Sequence, residues 1–226
     1  DDLAENSRIL EGCLRDFDYL GVRDNHTREI LKGFKIQPER IRDVPDPTLL
    51  RDLSSLPEGV RRPLPHPNTG IAVTRPELRS QLISAAGEAG RHAVSFLGPR
   101  HRGLIRPLPL TVPGYLSAYP QLDLMITDRF HGSIFALSLA GCPVILVEDS
   151  LKYPEGRSKG ADLFARLGLE KMVWRYEGGA IPRTVIEDYL ETWRKLAPDT
   201  EAGLASLRAS ARSELEAIRA ILLDCP

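Results

Sequence analysis

The sequence is poor in cysteine, and the three cysteines that it has are widely separated. Cys13, Cys142 and Cys225 have neither the even count of a disulfide scaffold nor the short spacings of a zinc site. Such sparse usage is typical of a protein from a reducing compartment. The sequence shows no other metal-ligand pattern, so we expect neither a metal nor another cofactor.

Long apolar runs and an excess of one charge are also missing. No stretch reaches the roughly 18 apolar residues that a membrane-spanning helix needs. The acidic, amphipathic start DDLAENSRIL is unlike a signal peptide. The formal net charge of −1 gives no field that would attract nucleic acid or an anionic membrane. We therefore expect a cytoplasmic protein that does not bind nucleic acid.

The composition is that of an ordinary globular protein of 226 residues, with 42% hydrophobic and 27% charged residues. The main interruption along the chain is a proline-rich stretch. Proline restricts its own backbone and that of the residue before it, so the stretch predicts a connector. We expect one domain over residues 1–66, connector included, and a second over 67–226. The prolines concerned are Pro57, Pro63, Pro65 and Pro67.

Short apolar strands alternate with helices along the chain. Such alternation predicts a parallel sheet covered on both faces, and hence a doubly wound, Rossmann-like α/β fold. The predicted strands are 19–22, 41–44, 70–74, 92–97, 122–127 and 143–147. The predicted helices are 3–17, 25–32 with Asn25 or Thr27 as cap, 77–89, 112–119, 133–140, 160–167, 184–196 and 200–223.

One segment concentrates polar chemistry just after a strongly apolar strand. Asp128-Arg129-Phe130-His131-Gly132 follows the strand that ends at Thr127, and a helix is expected to begin near Gly132 or Ser133. Ligands of open α/β sheets bind outside the carboxyl ends of strands, and helix N-termini favour anions. A permanent cation and a titratable imidazole in one turn therefore suit an anionic substrate. The alternative is structural, with Asp128 capping the helix and Arg129 pairing with it on the surface.

Several segments resemble the polysaccharide pyruvyltransferase family. The central motif is Asp128-Arg129-Phe130-His131-Gly132, followed by Ile134-Phe135-Ala136-Leu137 and Pro143-Val144-Ile145. Upstream, Leu20–Thr27 is similar to a family strand that ends in an Arg-Asp pair, and Val44–Pro47 is similar to its Asp-Pro step. Downstream, Ser158-Lys159-Gly160 leads to Leu167-Gly168-Leu169. Together the similar segments span about residues 18–170.

The resemblance implies a specific reaction and architecture. The enzyme would transfer pyruvate from phosphoenolpyruvate, as co-substrate, to two hydroxyls of a sugar or lipid-linked oligosaccharide, forming a ketal in surface polysaccharide biosynthesis near the membrane face. Two facing Rossmann-like domains, as in GT-B glycosyltransferases, would hold the donor in a cleft. The family's usual Gly/Asn-rich start is missing, so we expect residues 1–66 to be the end of an N-terminal domain. The oligomeric state cannot be inferred.

The resemblance also assigns roles to individual residues. His131 is the expected general acid, because imidazole suits proton transfer near neutral pH. Arg129 is expected to bind one donor anion, with Gly132 and Ser133 assisting. The predicted substrate-binding residues are Arg23, Arg129, Phe130, Gly132, Ser133, Asp149 and Lys159.

Some of these assignments have structural alternatives. Arg23 is a second candidate clamp. Lys159 either neutralises the donor phosphate or is a solvated lysine, and Asp149 either orients an acceptor hydroxyl or forms a turn. Asp24 and Asp46 are expected to make turn and cap hydrogen bonds. The basic trio Arg100-His101-Arg102 is a solvated loop or an acceptor contact.

Two other functions would use the same architecture. A nucleotide-sugar glycosyltransferase would bind a diphosphate at the helix start and a base in a neighbouring pocket. A non-catalytic carbohydrate-binding subunit would keep the fold without the reaction, although the presence of both Arg129 and His131 argues against it.

Overall fold

A computed structural model describes residues 2–34, 36–50, 63–96, 105, 112–152, 158–182 and 184–224. The chain forms two compact units, one of Asp1–Leu50 with Ala205–Pro226 and the other of Arg51–Leu204. The domain boundary expected near residue 66 stays a prediction, because much of the proline-rich connector lies outside the residues described.

The first unit is a small α/β element built on two parallel strands. Apolar side chains from its strands and helices form the core, in which Val22, Leu31, Ile36 and Ile41 are buried. The two strands pair in register from Leu20 opposite Ile41 to Val22 opposite Asp43. Its elements are α1 (Asp2–Arg15), β1 (Leu20–Val22), α2 (Asn25–Lys32) and β2 (Ile41–Asp43).

Two buried aspartates shape the turns of this unit. Asp24 caps α2, with Oδ1 accepting a hydrogen bond from Thr27 N at 2.8 Å. The cap predicted at Asn25 or Thr27 is therefore wrong, because α2 already includes both residues. Asp46 Oδ1 accepts from Thr48 N at 3.0 Å and from Thr48 Oγ1 at 2.6 Å. The turn and cap hydrogen bonds predicted for both aspartates are confirmed.

The second unit contains a five-stranded, fully parallel sheet of β3 (Asn68–Ala72), β4 (His92–Ser95), β5 (Met125–Thr127), β6 (Val144–Asp149) and β7 (Val173–Tyr176). The strand order is β4-β3-β5-β6-β7. Every residue of β3, β5 and β6 is buried, as expected when helices cover both faces of a sheet. The doubly wound α/β class is therefore confirmed. The helices are α3 (Pro76–Glu88), α4 (Val112–Ala118), α5 (Phe130–Phe135) and α6 (Lys159–Arg166).

Strand β7 and the C-terminal helix depart from the predicted elements. No strand was expected at β7, which has the sequence Val-Trp-Arg-Tyr and is only partly buried. The two helices expected after residue 184 are one, α7 (Val185–Asp224), which continues through Pro198. Pro198 is exposed, so the lost backbone hydrogen bond faces water. The buried face continues on both sides of it, at Trp193, Thr200, Leu204 and Ala211.

The helix after β5 ends in a distorted turn. Residues Ala136–Ala140 form a π-helical turn, and Gly141 closes it in the left-handed conformation at φ 58°. Cys142 comes next and is buried, and burial raises the pKa of its thiol to about 12. A thiol with that pKa stays protonated at neutral pH, as is typical of a core thiol rather than a nucleophile. Across the described ranges, no helix is long and apolar enough to cross a membrane.

Tyr19 in the first unit leads to a prediction about the stability of the protein at alkaline pH. Burial and the hydrogen bond to Glu214 raise the pKa of Tyr19 from 10.0 to about 12. A raised folded-state pKa means that this contribution to stability is complete below pH 10 and is lost as the pH rises towards 12. Tyr19→Phe should therefore lose less stability between pH 8 and 10.5 than the wild type does, as measured by urea unfolding. Equal losses in both proteins would contradict the coupling.

Candidate active site

The strand order creates a switch point between β3 and β5. The chain leaves β3 to form β4 on one side, and then returns to place β5 on the other side. In open α/β sheets, the crevice at the carboxyl ends of two such strands is the preferred ligand site. Thr74 follows β3 by two residues and Asp128 follows β5 directly. The sequence motif therefore lies at the switch point.

A direct contact joins the two strand ends. The backbone N–H of Thr74 donates to Asp128 Oδ2 at 2.9 Å, and the Thr74 hydroxyl makes a short hydrogen bond to the same oxygen. Thr127 adds a second link, because its Oγ1 donates to Ala72 O at 3.1 Å. The turn after β5 is thus fixed to the end of β3 before α5 begins.

Helix α5 begins earlier than the sequence predicted. Arg129 is the N-cap residue and Phe130 the first helical residue, so the predicted start at Gly132 or Ser133 is wrong. Ser133 is fully buried, and its N–H and hydroxyl both donate to Arg129 O, at 3.0 and 3.2 Å. The backbone donors that α5 leaves without intrahelical partners therefore start at Phe130. Ser133 as a donor contact stays a prediction, but its polar groups already have partners inside the protein.

Gly132 is required by packing. A Cβ atom at this position would lie 2.9 Å from Thr127 Oγ1 and 3.3 Å from Arg129 Cβ. The same Thr127 oxygen accepts a hydrogen bond from Arg129 N at 2.9 Å. Gly132 was predicted to assist in binding the donor anion, and that role stays a prediction. In the structure it lets the helix approach the turn that positions Arg129.

Asp128 is the buried charge at the centre of this arrangement. Its side chain is only 6% exposed, with Arg129 Nε 3.4 Å from Oδ1 and Lys152 Nζ 3.5 Å from Oδ2. The Oδ1 atom has no hydrogen-bond partner within the described part of the chain, so its contact with Arg129 is an ion pair at longer range. The capping alternative for Asp128 is wrong, because α5 has no side-chain cap. The pairing with Arg129 is present, but on a buried carboxylate.

His131 is exposed on the first turn of α5. Its ring stacks on Phe135 at 6.3 Å between centroids, with an interplanar angle of 27°. Phe130, which is partly buried, contacts the same imidazole edge-on at 5.3 Å. The two phenylalanines therefore support the ring while leaving it accessible at the switch point. A substrate contact for Phe130 stays a prediction, and its observed contact is with His131.

A second charged pair lies on the neighbouring strand ends. Asp149, the last residue of β6, is buried and accepts a hydrogen bond from Leu151 N at 3.1 Å. Arg75 Nη1 lies 3.4 Å from its Oδ1, and the Arg75 guanidinium sits 5.4 Å from the centroid of the Tyr176 ring. The turn predicted as the alternative role of Asp149 is thus observed. Its role towards an acceptor hydroxyl stays a prediction.

The remaining candidates lie elsewhere. Lys159 is exposed as the first residue of α6, just after the cap Ser158. Arg23 belongs to the first unit, where its Nη1 lies 2.7 Å from Asp46 Oδ2. Ligand roles for both residues stay predictions. The basic trio Arg100-His101-Arg102 lies outside the residues that the structure describes.

The sequence reasoning missed three residues of this site, Thr74, Arg75 and Lys152. Their place in the sequence could have revealed them, because each lies within a few residues after the carboxyl end of a strand. The predicted strand 70–74 placed Thr74 inside the sheet, whereas β3 ends at Ala72. In the ranges that the structure covers, no cluster of three or more His, Cys, Asp or Glu side chains is arranged to hold a metal ion.

Comparison with known protein families identifies the family of this chain. The sequence model described as "Polysaccharide pyruvyl transferase" matches residues 4–150 of the 226-residue chain. The chain belongs to the polysaccharide pyruvyl transferase family. The match contains the whole motif and the strand ends that surround it. No curated protein matches this family member significantly.

This pyruvyl transferase family member shares its fold with proteins of known structure. The Methanocaldococcus jannaschii UDP-GlcNAc 2-epimerase, in complex with UDP-GlcNAc and UDP, superposes with a TM-score of 0.54 at 12% identity. A glycotransferase of kitacinnamycin gives 0.54 at 14% identity. The similarity covers 77% and 84% of this chain but only 54% and 51% of theirs, respectively. The chain thus spans about half the length of these neighbours, and the predicted GT-B-like fold is confirmed.

Packing at Gly132 gives a stability prediction. Gly132→Ala should destabilise the protein by about 1–3 kcal/mol, because the new methyl group overlaps Thr127 Oγ1 in a closely packed turn. The control is Gly87→Ala on the exposed face of α3, where a Cβ meets nothing within 4 Å. That change should be neutral or stabilise by up to about 1 kcal/mol. Urea unfolding measures both, and equal effects would contradict the packing role.

Proposed function

We propose that this chain carries the donor-binding part of a pyruvyltransferase. The enzyme moves the pyruvyl group of phosphoenolpyruvate onto two hydroxyls of a sugar. The observation that supports this most is the pairing of Arg129 with buried Asp128 at the switch point, just before a helix whose first turn carries the exposed His131. The site thus combines a fixed cation with an accessible acid–base group.

Phosphoenolpyruvate fits this combination because one of its carbon atoms bears both a carboxylate and a phosphate ester. The guanidinium of Arg129 matches a carboxylate through two parallel N–H groups. Its Nε lies 3.4 Å from Asp128 Oδ1, and the side chain remains about half exposed, so the terminal N–H groups can meet a ligand. The buried aspartate limits how far the guanidinium can move and thereby orients it for the donor.

The reaction needs one proton at carbon and releases one phosphate. His131 gives a proton to the methylene carbon of phosphoenolpyruvate, and a sugar hydroxyl adds to the adjacent carbon. The hydroxyl proton returns to His131. Phosphate then leaves with the electron pair of its C–O bond, and the second hydroxyl adds to the same carbon while its proton passes to phosphate. One donor and one diol give one ketal and one inorganic phosphate, so atoms and charges balance.

The acceptor is the less defined partner. Family membership supports a sugar of a surface polysaccharide, or of its lipid-linked precursor, and we place the reaction in the cytoplasm at the membrane face. Asp149 is the candidate for orienting an acceptor hydroxyl, although Arg75 and the turn at Leu151 already occupy its oxygens. Arg23 remains the candidate for a second clamp on the donor.

A nucleotide-sugar transferase is the alternative that the fold itself favours, since one structural neighbour is described in complex with UDP-GlcNAc and UDP. The two functions differ in the ligand that stabilises the protein. Phosphoenolpyruvate should raise the melting temperature, whereas UDP should leave it unchanged. Stabilisation by UDP alone would replace the pyruvyltransferase proposal with the alternative.

Replacing His131 tests the chemistry. His131→Gln should lower ketal formation by about 10²–10⁴-fold, the usual contribution of a general acid or base. Binding of phosphoenolpyruvate should stay within a few-fold of the wild type, because the donor contacts are made by other residues. Product mass and phosphate release measure the first effect, and calorimetry measures the second.

His92→Gln is the matched control, because His92 is an exposed histidine of the same unit at the start of β4. It should keep full activity. Near-normal turnover in His131→Gln, with a wild type that makes the ketal, would remove His131 from the chemical step.

A further inference from the structure

The family motif does not account for a hydrogen-bonded chain of three side chains at the switch point. Lys152 Nζ donates to Thr74 Oγ1 at 2.7 Å, and the Thr74 hydroxyl makes a short hydrogen bond to Asp128 Oδ2. A hydroxyl has one proton to donate. Because an ammonium group cannot accept, the Thr74 proton must go to Asp128. The direction of the chain is therefore fixed from Lys152 through Thr74 to Asp128.

This chain leaves Lys152 with capacity for a ligand. An ammonium group has three N–H donors, and Thr74 uses one of them. Asp128 Oδ2 lies 3.5 Å away, which is an ion-pair contact rather than a second hydrogen bond. The Lys152 side chain is 48% exposed, so its head is held at a defined position but remains accessible.

The local charges also favour an anion. Asp128 carries one negative charge, and Arg129 and Lys152 each bring one positive charge to its two oxygens. The neighbouring group of Arg75, Asp149 and Glu77 carries one net negative charge, with Glu77 3.8 Å from Arg75 on its exposed side. The group around Asp128 therefore keeps one excess positive charge.

We propose that Lys152 binds the phosphate of the donor, and that Asp128 is a positioning residue which holds Lys152 and Arg129 on its two oxygens. The inference rests on the proposed function for the identity of the donor. A lysine is a compact point charge that suits phosphate, whereas the arginine fork suits the carboxylate. One buried carboxylate thus sets the separation of two cations for a ligand whose two anions share one carbon.

The test titrates three probes into the intact chain. Lys152→Gln should weaken inorganic phosphate and phosphoenolpyruvate by about 10–100-fold, the usual effect of losing a charge-assisted hydrogen bond. Pyruvate, which has only the carboxylate, should bind the variant as it binds the wild type. Lys171→Gln, at an exposed lysine just before β7 in the same unit, should change none of the three affinities.

Thr74 provides the test of positioning. Thr74→Val keeps the shape but removes the hydroxyl that connects Lys152 to Asp128, so phosphate affinity should fall several-fold with pyruvate affinity unchanged. Thr74→Ser keeps the hydroxyl and should restore phosphate affinity. A purely structural role for Thr74 would lower the melting temperature without separating phosphate from pyruvate.

The outcomes separate this inference from the proposed function. If Lys152→Gln binds phosphoenolpyruvate as tightly as the wild type does, the donor assignment stands and the role of Lys152 is wrong. If phosphate binding depends on Lys152 but phosphoenolpyruvate does not bind, the phosphate site stands and the pyruvyltransferase proposal falls. A wild type that binds no phosphate at millimolar concentration overturns the inference itself.

Discussion

The site depends on one buried carboxylate at the end of β5. Removing the Asp128 charge from water is costly unless partners compensate for it. The compensation comes from Thr74 on the neighbouring strand end and from two cations, Arg129 and Lys152. Because every partner must be in place to stabilise the charge, the carboxylate organises three chain segments that are far apart in sequence.

The sheet supplies the rigid frame for this charge. β3 and β5 are adjacent, parallel and fully buried, so their carboxyl ends meet at a fixed separation. Gly132 and Thr127 then determine how closely α5 approaches the turn, and hence the positions of Arg129 and His131. The candidate functional residues Arg129 and His131 are exposed, while Gly132 and Thr127, which position them, are buried. This division explains how one motif can be both rigid and accessible.

Periodicity was sufficient to predict the fold class. Strands that contain a continuous apolar run, such as residues 144–147 of β6, are visible in the sequence because both of their faces are buried. Strand β7 was missed because it is partly buried and mixes Arg175 with aromatic residues. The two helices predicted in place of α7 left out the segment around Pro198, although on an exposed face proline is tolerated. The family, predicted from the motif, was confirmed.

The candidate site was only half visible in the sequence. The motif supplied Arg129 and His131, which are neighbours along the chain. Thr74 and Lys152 lie 54 and 24 positions away from Asp128 respectively, and their hydrogen bonds exist only after the strands are ordered in the sheet. The family resemblance drew attention to Lys159 in Ser158-Lys159-Gly160, whereas no motif marks Lys152. The contacts of Lys152 with Thr74 and Asp128 depend on the strand order of the sheet, which a single sequence did not reveal.

The most direct test of the account is a crystal structure of the chain with phosphoenolpyruvate bound. We expect the donor at the carboxyl ends of β3 and β5, with its carboxylate on the Arg129 guanidinium and its phosphate within hydrogen-bonding distance of Lys152 Nζ. The Asp128 carboxylate should remain between the two cations. Donor bound elsewhere on the chain, or a switch point that stays empty at saturating phosphoenolpyruvate, would contradict the account.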